Sequence, residues 1–169
     1  SSSRDTAGGR ASVPPEDAAV VATFEGVGRL RAGMRVREAL AALGGTIDTS
    51  RGTMPGSNCS YARFSELPAG TAIMLWADTI VRIDVDSAGV RTRWGTGVGS
   101  TVAEIRQRHA SLEVRQAPHP YSSPTWHYLV IDAPADTVHR IIFETNEQQR
   151  VDSYRVGFRR AVDLTEGYA

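Results

Sequence analysis

Gly33-Met34-Arg35-Val36-Arg37-Glu38-Ala39-Leu40 and Gly99-Ser100-Thr101-Val102-Ala103-Glu104-Ile105-Arg106 carry Gly, Val and Glu at the same three positions, and Ile105 stands where Ala39 does. Each stretch reads as a short amphipathic helix. In the first, Val36, Leu40 and Leu43 fall at helical spacing with Ala39 beside them, and Gly44-Gly45 stops the run. In the second, Val102, Ile105 and His109 share a face. Thr101 and Glu104 form a capping box there, in which the hydroxyl satisfies one orphan amide and the carboxylate reaches back to another. Arg35 occupies the corresponding place in the first stretch, so that helix lacks the box.

Runs of strand character come after both helices, at 60–64, 71–77 and 80–85, and at 127–132, 140–145 and 151–156. Short turns join them, Ala77-Asp78-Thr79 in the first set and Asn146-Glu147-Gln148-Gln149 in the second. Further strands are expected at 90–94, 23–27 and, at an edge, 161–165. The pattern predicts an α+β fold, a tandem repeat of a helix plus a three- to four-stranded antiparallel meander with the helices on one face of the sheet. The first αβββ unit spans 23–86 and the second 87–169. Whether their sheets join is open. Residues 1–22, with Ser1 to Ser3, Gly8-Gly9 and Pro14-Pro15, are small, polar and aperiodic, and are expected to be a flexible leader.

The composition narrows the function. The chain has 169 residues, 41% hydrophobic and 22% charged, with a formal net charge of zero. Those are globular values. The absence of a basic excess argues against a nucleic-acid partner or a general anionic-membrane binder. All 19 basic residues are Arg, as a GC-rich genome favours. Cys59 is the single cysteine, so neither an internal disulfide nor a Cys-based metal cluster can form. No segment approaches the ~20 apolar residues of a membrane-spanning helix. In bacterial lipoproteins a Ser-rich leader separates the lipidated Cys from the folded domain, so a lipid anchor at the N-terminus is inferred.

The helix motif Gly33-Met34-x-Val36-x-Glu38-Ala39, closing on Leu43-Gly44, resembles the beta-lactamase-inhibitory-protein-like fold and the small outer-membrane-assembly lipoproteins. Gly99, Val102, Glu104 and Ile105 repeat it. The inhibitory proteins carry the unit twice and the lipoproteins usually once. Beyond Thr23 the chain is also similar to a group of uncharacterised bacterial envelope proteins, which carry one Cys near the position of Cys59 and another in a C-terminal Glu-Gly-Cys. Here the tail reads Glu166-Gly167-Tyr168. The resemblance implies a non-catalytic protein that inhibits a secreted enzyme or serves as a scaffold in envelope assembly.

Catalytic signatures are sparse. No Gly-x-Ser-x-Gly elbow or His-Glu-x-x-His helix occurs, and a hydrolase would need a polar triad assembled from distant residues. Cys59 has no His in a local signature with it. His109, His119, His127 and His139 are the only imidazoles; a zinc site needs three or four ligands on a fixed frame, and the segment from His119 to His127 crosses Pro120 and Pro124. Gly95-Thr96-Gly97-Val98-Gly99 lacks the spacing of a phosphate or dinucleotide loop. Asp84 and Asp86 flank Val85 as on a strand with one wet face. Asn58-Cys59-Ser60 fits the glycosylation acceptor pattern.

The informative constellation is aromatic. Residues 71–77 place Ile73 and Leu75 on one face and Met74 and Trp76 on the other. Trp126 and Tyr128 align on a second strand, Tyr154 lies on a third, and Trp94 precedes the second helix. The loop 117–125 is stiffened by Pro118, Pro120 and Pro124 and carries His119 and Tyr121. An uncovered sheet face of Met74, Trp76, Trp94, Trp126, Tyr128 and Tyr154, extended by His119 and Tyr121, is the expected partner-binding surface, because such residues dominate interface hot spots. The expectation is thus a monomeric, non-catalytic, protein-binding module of the bacterial periplasm or outer membrane, with no cofactor, no metal and no nucleic-acid partner. The alternative is a receptor for a small molecule or ion, with a pocket between the units near His119, His127 and Trp94.

Overall fold

The computed structural model describes residues 20–49, 56–121 and 124–164. Its elements in chain order are β1 (Val21–Ala22), β2 (Gly26–Val27), β3 (Leu30–Arg31), α1 (Val36–Leu43), β4 (Ile47–Asp48), β5 (Cys59–Phe64), β6 (Thr71–Trp76), β7 (Thr79–Val85), β8 (Arg91–Thr92), α2 (Val102–Arg108), β9 (Arg115–Pro118), β10 (His127–Asp132), β11 (His139–Thr145), β12 (Val151–Phe158) and α3 (Arg159–Val162).

This overturns the expected α+β tandem of helix-plus-meander units. Among the described residues the chain is mostly β, with twelve strands in two sheets and three short helices. One sheet runs β3-β2-β1-β8 and the other β4-β5-β6-β7-β12-β11-β10-β9. The physical reason lies in the two-residue strands. A strand that short has no alternation to read, so the strands expected at 23–27 and 90–94 look like separate leads into the helices, and those at 21–22 and 30–31 are not visible at all. Instead they pair, β1 with β8 in parallel through Val21–Arg91 and Ala22–Thr92. The small sheet then does part of the covering assigned to the helices, with β2 lying against β7 and β12.

The six longer strands stand within a residue or two of the expected runs. With β4 and β9 at the edges they form one eight-stranded sheet, because β7 and β12 pair antiparallel, Val85 with Tyr154 and Ile83 with Val156. Its inner face carries Ile73, Leu75, Ile83, Val85, Leu129, Ile131, Ile141, Phe143, Tyr154 and Val156, which pack against Phe24, Val27, Leu30, Ala39 and Ile105 in one core. The Tyr154 hydroxyl donates to the Val90 carbonyl at 2.8 Å, tying the two sheets together. Thr101 Oγ1 accepts from the Glu104 amide at 3.1 Å, whereas Arg35 makes no side-chain cap at α1.

Three local expectations also change. Where an edge strand is expected at 161–165, residues 161–162 are the end of α3, 163–164 follow it without regular structure, and 165 lies outside the described residues. The Pro-rich loop begins as a strand, because Ala117 pairs with Tyr128 and Pro118 with His127 at the sheet edge, where a missing N–H does no harm. Of the leader at 1–22, residues 1–19 lie outside the described residues and Val21–Ala22 are strand.

Candidate functional site

The outer face of the large sheet holds the features that packing alone does not explain. α3 folds back over it. Ala161 joins Cys59 and Met74 in one apolar cluster, and Val162 joins Tyr128, Val130 and Ile142 in another. Between these clusters runs a row of polar side chains. Arg82 Nε donates to Asp84 at 3.2 Å and its Nη2 to the Tyr61 hydroxyl at 2.9 Å. Arg155 pairs with Glu144 at 3.3 Å. Glu144 also accepts from Ser153 Oγ at 3.2 Å and lies 2.6 Å from His119 Nε2. The Tyr121 amide donates to His119 Nδ1, so Nε2 carries the proton that Glu144 receives. The carboxylate therefore stands between the hydroxyl and the imidazole, whereas a nucleophilic triad needs the imidazole in the middle. Burial pushes the Asp84 carboxyl up, against the pull of Arg82 and Arg155.

At the end of this row, where the β6–β7 turn, the β10–β11 loop and α3 meet, a cavity of about 640 Å³ opens. Its floor is Cys59, Met74 and Val81 and its walls are Trp76, Phe158, Ala161 and Leu164. Thr137 and Val138 form the opposite rim, and Arg159 and Arg160 stand at the mouth. Val81 reaches this face because the register of β6 against β7 shifts between Met74 and Leu75, which puts both Val81 and Arg82 on the outer side. Trp76 is 56% exposed and Val138 50%. Burial pushes the Cys59 thiol up although Arg82 pulls it down, so the thiol is the resting form and a weak nucleophile.

The expected aromatic surface does not come together as one patch. Met74 and Trp76 belong to the groove. His119, Trp126 and Tyr128 pack edge-to-face at the opposite end of the sheet, with ring centroids 6.2 and 4.8 Å apart, and Tyr121 beside them is 73% exposed. Tyr154 is buried on the inner face. Trp94 also packs inward, 5.2 Å from Phe24 and 4.7 Å from His109. Trp94 and His119 thus lie on opposite sides of the large sheet. Among the described residues no group of three His, Cys, Asp or Glu side chains lies close enough to hold a metal ion, and no helix is long and apolar enough to cross a membrane.

Sequence reasoning misses Val81, Val138, Phe158, Leu164 and the paired Arg159 and Arg160. The adjacent arginines are the available signal, because nothing on α3 itself balances them.

No family model matches the sequence, and no curated protein does. Among solved structures, the fold is similar to that of the uncharacterised protein YfeY from Escherichia coli, with a TM-score of 0.52 at 14% identity, over 81% of this chain and 99% of that one. The chain therefore shares the fold of an uncharacterised bacterial protein.

Proposed function

We propose that this chain is a non-catalytic binding protein of the bacterial envelope whose recognition site is the groove between the β6–β7 turn and α3. The observation that carries the reading is the groove itself, about 640 Å³ with mostly apolar walls, a size and character typical of small-ligand sites. The envelope assignment draws on the Ser-rich leader and on the likeness of the Gly33–Gly44 helix motif to inhibitory proteins and outer-membrane-assembly lipoproteins. That likeness is one of motif, not of architecture. The polar row beneath α3 serves to hold the groove wall in place.

An apolar fluorescent probe such as anilinonaphthalene sulfonate tests the reading. It should bind the native protein at one site and lose that site in Val81→Asp. Native protein that leaves the probe dark would sink the proposal.

A protein partner is the second reading, favoured by Trp76 and Val138 exposed on the rim. Immobilised wild type and Trp76→Ala should then recover different proteins from an envelope extract; identical recovery rules that reading out.

A further inference from the structure

Resting on the groove as binding site, we propose that its ligand is a free single-chain amphiphile with an anionic headgroup, the chain lying against Met74, Trp76, Val81 and Phe158 and the headgroup at Arg160. Two observations lead there. The groove has a floor as well as rims: Cys59 and Met74 beneath it are buried. A flat protein contact has no use for such depth, whereas an alkyl chain gains with each methylene it buries.

The second observation is the charge at the mouth. Among the described residues Arg159 has one carboxylate within reach, Asp132 at 3.5 Å. Asp132 is already held by Arg140 and by Arg115. The hydrogen bond from Arg140 keeps its carboxyl below the usual range. Arg140 also engages Asp163. Asp136, on the opposite rim, is taken by His139 and by the amides of Val138 and His139. Among the described residues, four guanidiniums, Arg115, Arg140, Arg159 and Arg160, therefore face three carboxylates, Asp132, Asp163 and Asp136, and none of the three lies within ion-pair distance of Arg160. Arg159 Nε is buried and has no hydrogen-bond partner among the described residues. Arg160 is exposed and makes no ion pair among the described residues. An apolar slot that opens onto unbalanced guanidinium charge complements a carboxylate or phosphate on a hydrocarbon tail, because guanidinium forks match both.

The test is a calorimetric titration of the native protein with twelve-carbon ligands below their micellar limits: dodecanoate, dodecyl phosphate, dodecanol and dodecyltrimethylammonium. Both anions should bind one to one. Dodecanol should bind roughly tenfold more weakly, as one lost charge-assisted hydrogen bond predicts, and the cation weaker still. Arg160→Glu should erase the anion's advantage and leave dodecanol unchanged. Tetradecanoate should bind about tenfold or more tighter than dodecanoate, at roughly fourfold per methylene. Equal affinity for anion, alcohol and cation would overturn the ligand class while leaving the groove a binding site. No binding by any chain would overturn both. Binding that persists in Val81→Asp would place the ligand elsewhere and overturn the inference, as would binding to anionic phospholipid vesicles without binding to the free amphiphiles.

Discussion

Arg82 Nη1 donates to the carbonyl oxygen of Leu164 at 2.7 Å, across 82 residues of chain. The same nitrogen donates to Ala161 O at 2.9 Å, and Arg155 Nε donates to Val162 O. The last carbonyls of any helix lack internal partners. α3 has four residues; its own backbone reaches Arg159 O from Asp163 N and Ala161 O from Leu164 N, and leaves Val162 O and Leu164 O to other donors. Two guanidiniums rising from the middle of the sheet supply the remaining donors and a second one to Ala161 O. They fix Ala161 and Leu164, and with them one wall of the groove.

Replacing Arg82 with Met should therefore do two things. It leaves the carbonyls of Ala161 and Leu164 without this donor and Asp84 without its nearest cation. Loss of one partner from a buried pair costs about 3–5 kcal/mol; Asp84 keeps some exposure, so the lower half of that range is expected. Urea unfolding measures the loss, and amide exchange in 159–164 should accelerate. Arg82→Lys keeps the charge but not the fork and should fall between the two. Stability within about 0.5 kcal/mol of wild type in both variants, a change typical of surface substitutions, would mean that α3 is held by its apolar contacts alone.

The residues legible in the sequence and those that are not divide along physical lines. β10 and β12 are readable because a buried strand of six or eight residues imprints its apolar pattern on the sequence. The Thr101 cap is readable because its partner is three residues away. β1 and β3 are not, since two residues have no period, and although strand is expected at 23–27 and 90–94, the pairing of these pieces into a second sheet is not legible, and with it goes the fold class. Asp84 reads as a wet-face residue because its partner Arg82 is on the same strand face, a pairing that alternation presents as solvent exposure. Of the groove, Met74 and Trp76 are visible from the strand pattern. Val81 is hidden by the register shift, and Leu164 by a stretch that reads as strand but is the end of α3 and the turn after it.

His109 makes stability depend on pH. It is fully buried, with Nε2 2.9 Å from Thr96 Oγ1 and Nδ1 without a partner among the described residues. Burial pushes its pKa down from 6.5 to about 4. The folded state therefore prefers the neutral ring. Its full contribution is present above about pH 6.5 and is lost as pH falls from there toward 4; below that both states are protonated and the loss stops. The total amounts to about 3 kcal/mol, at 1.36 kcal/mol per pKa unit. Between pH 7 and 4.5 the unfolding free energy of wild type should fall about 2 kcal/mol more than that of His109→Gln, which has no such titration. Parallel pH profiles for the two proteins would refute the assignment.

The unequal helix caps predict opposite effects from exposed substitutions. Thr101→Ala removes the acceptor for the Glu104 amide and should cost about 1 kcal/mol. Arg35→Asp supplies an acceptor where α1 has none and places a negative charge at the positive end of the helix dipole. It should stabilise by about 0.5–1 kcal/mol. Denaturant midpoints with unchanged slopes would report both. A loss in both variants would show that Arg35 serves α1 in some way other than capping.

Gly157 is the most demanding position in the large sheet. It pairs with Arg82 where β12 meets β7 and adopts a φ of 134°, a conformation that side chains rarely tolerate. A Cβ there would stand 2.6 Å from the Val81 carbonyl oxygen and 3.0 Å from Arg82 Cα. Both obstacles are backbone, so neither can rotate aside, and strain of about 1–3 kcal/mol from φ alone adds to the clash. Gly157→Ala should therefore destabilise by more than Arg82→Lys. It should also weaken ligand binding before it unfolds the protein, because β7 must shift away from β12 and carries Val81, part of the groove floor, with it. Unfolding and probe titration on the same sample separate the two effects. A Gly157→Ala protein of wild-type stability would show that β7 and β12 tolerate a wider spacing, and that the groove floor does not depend on their close approach.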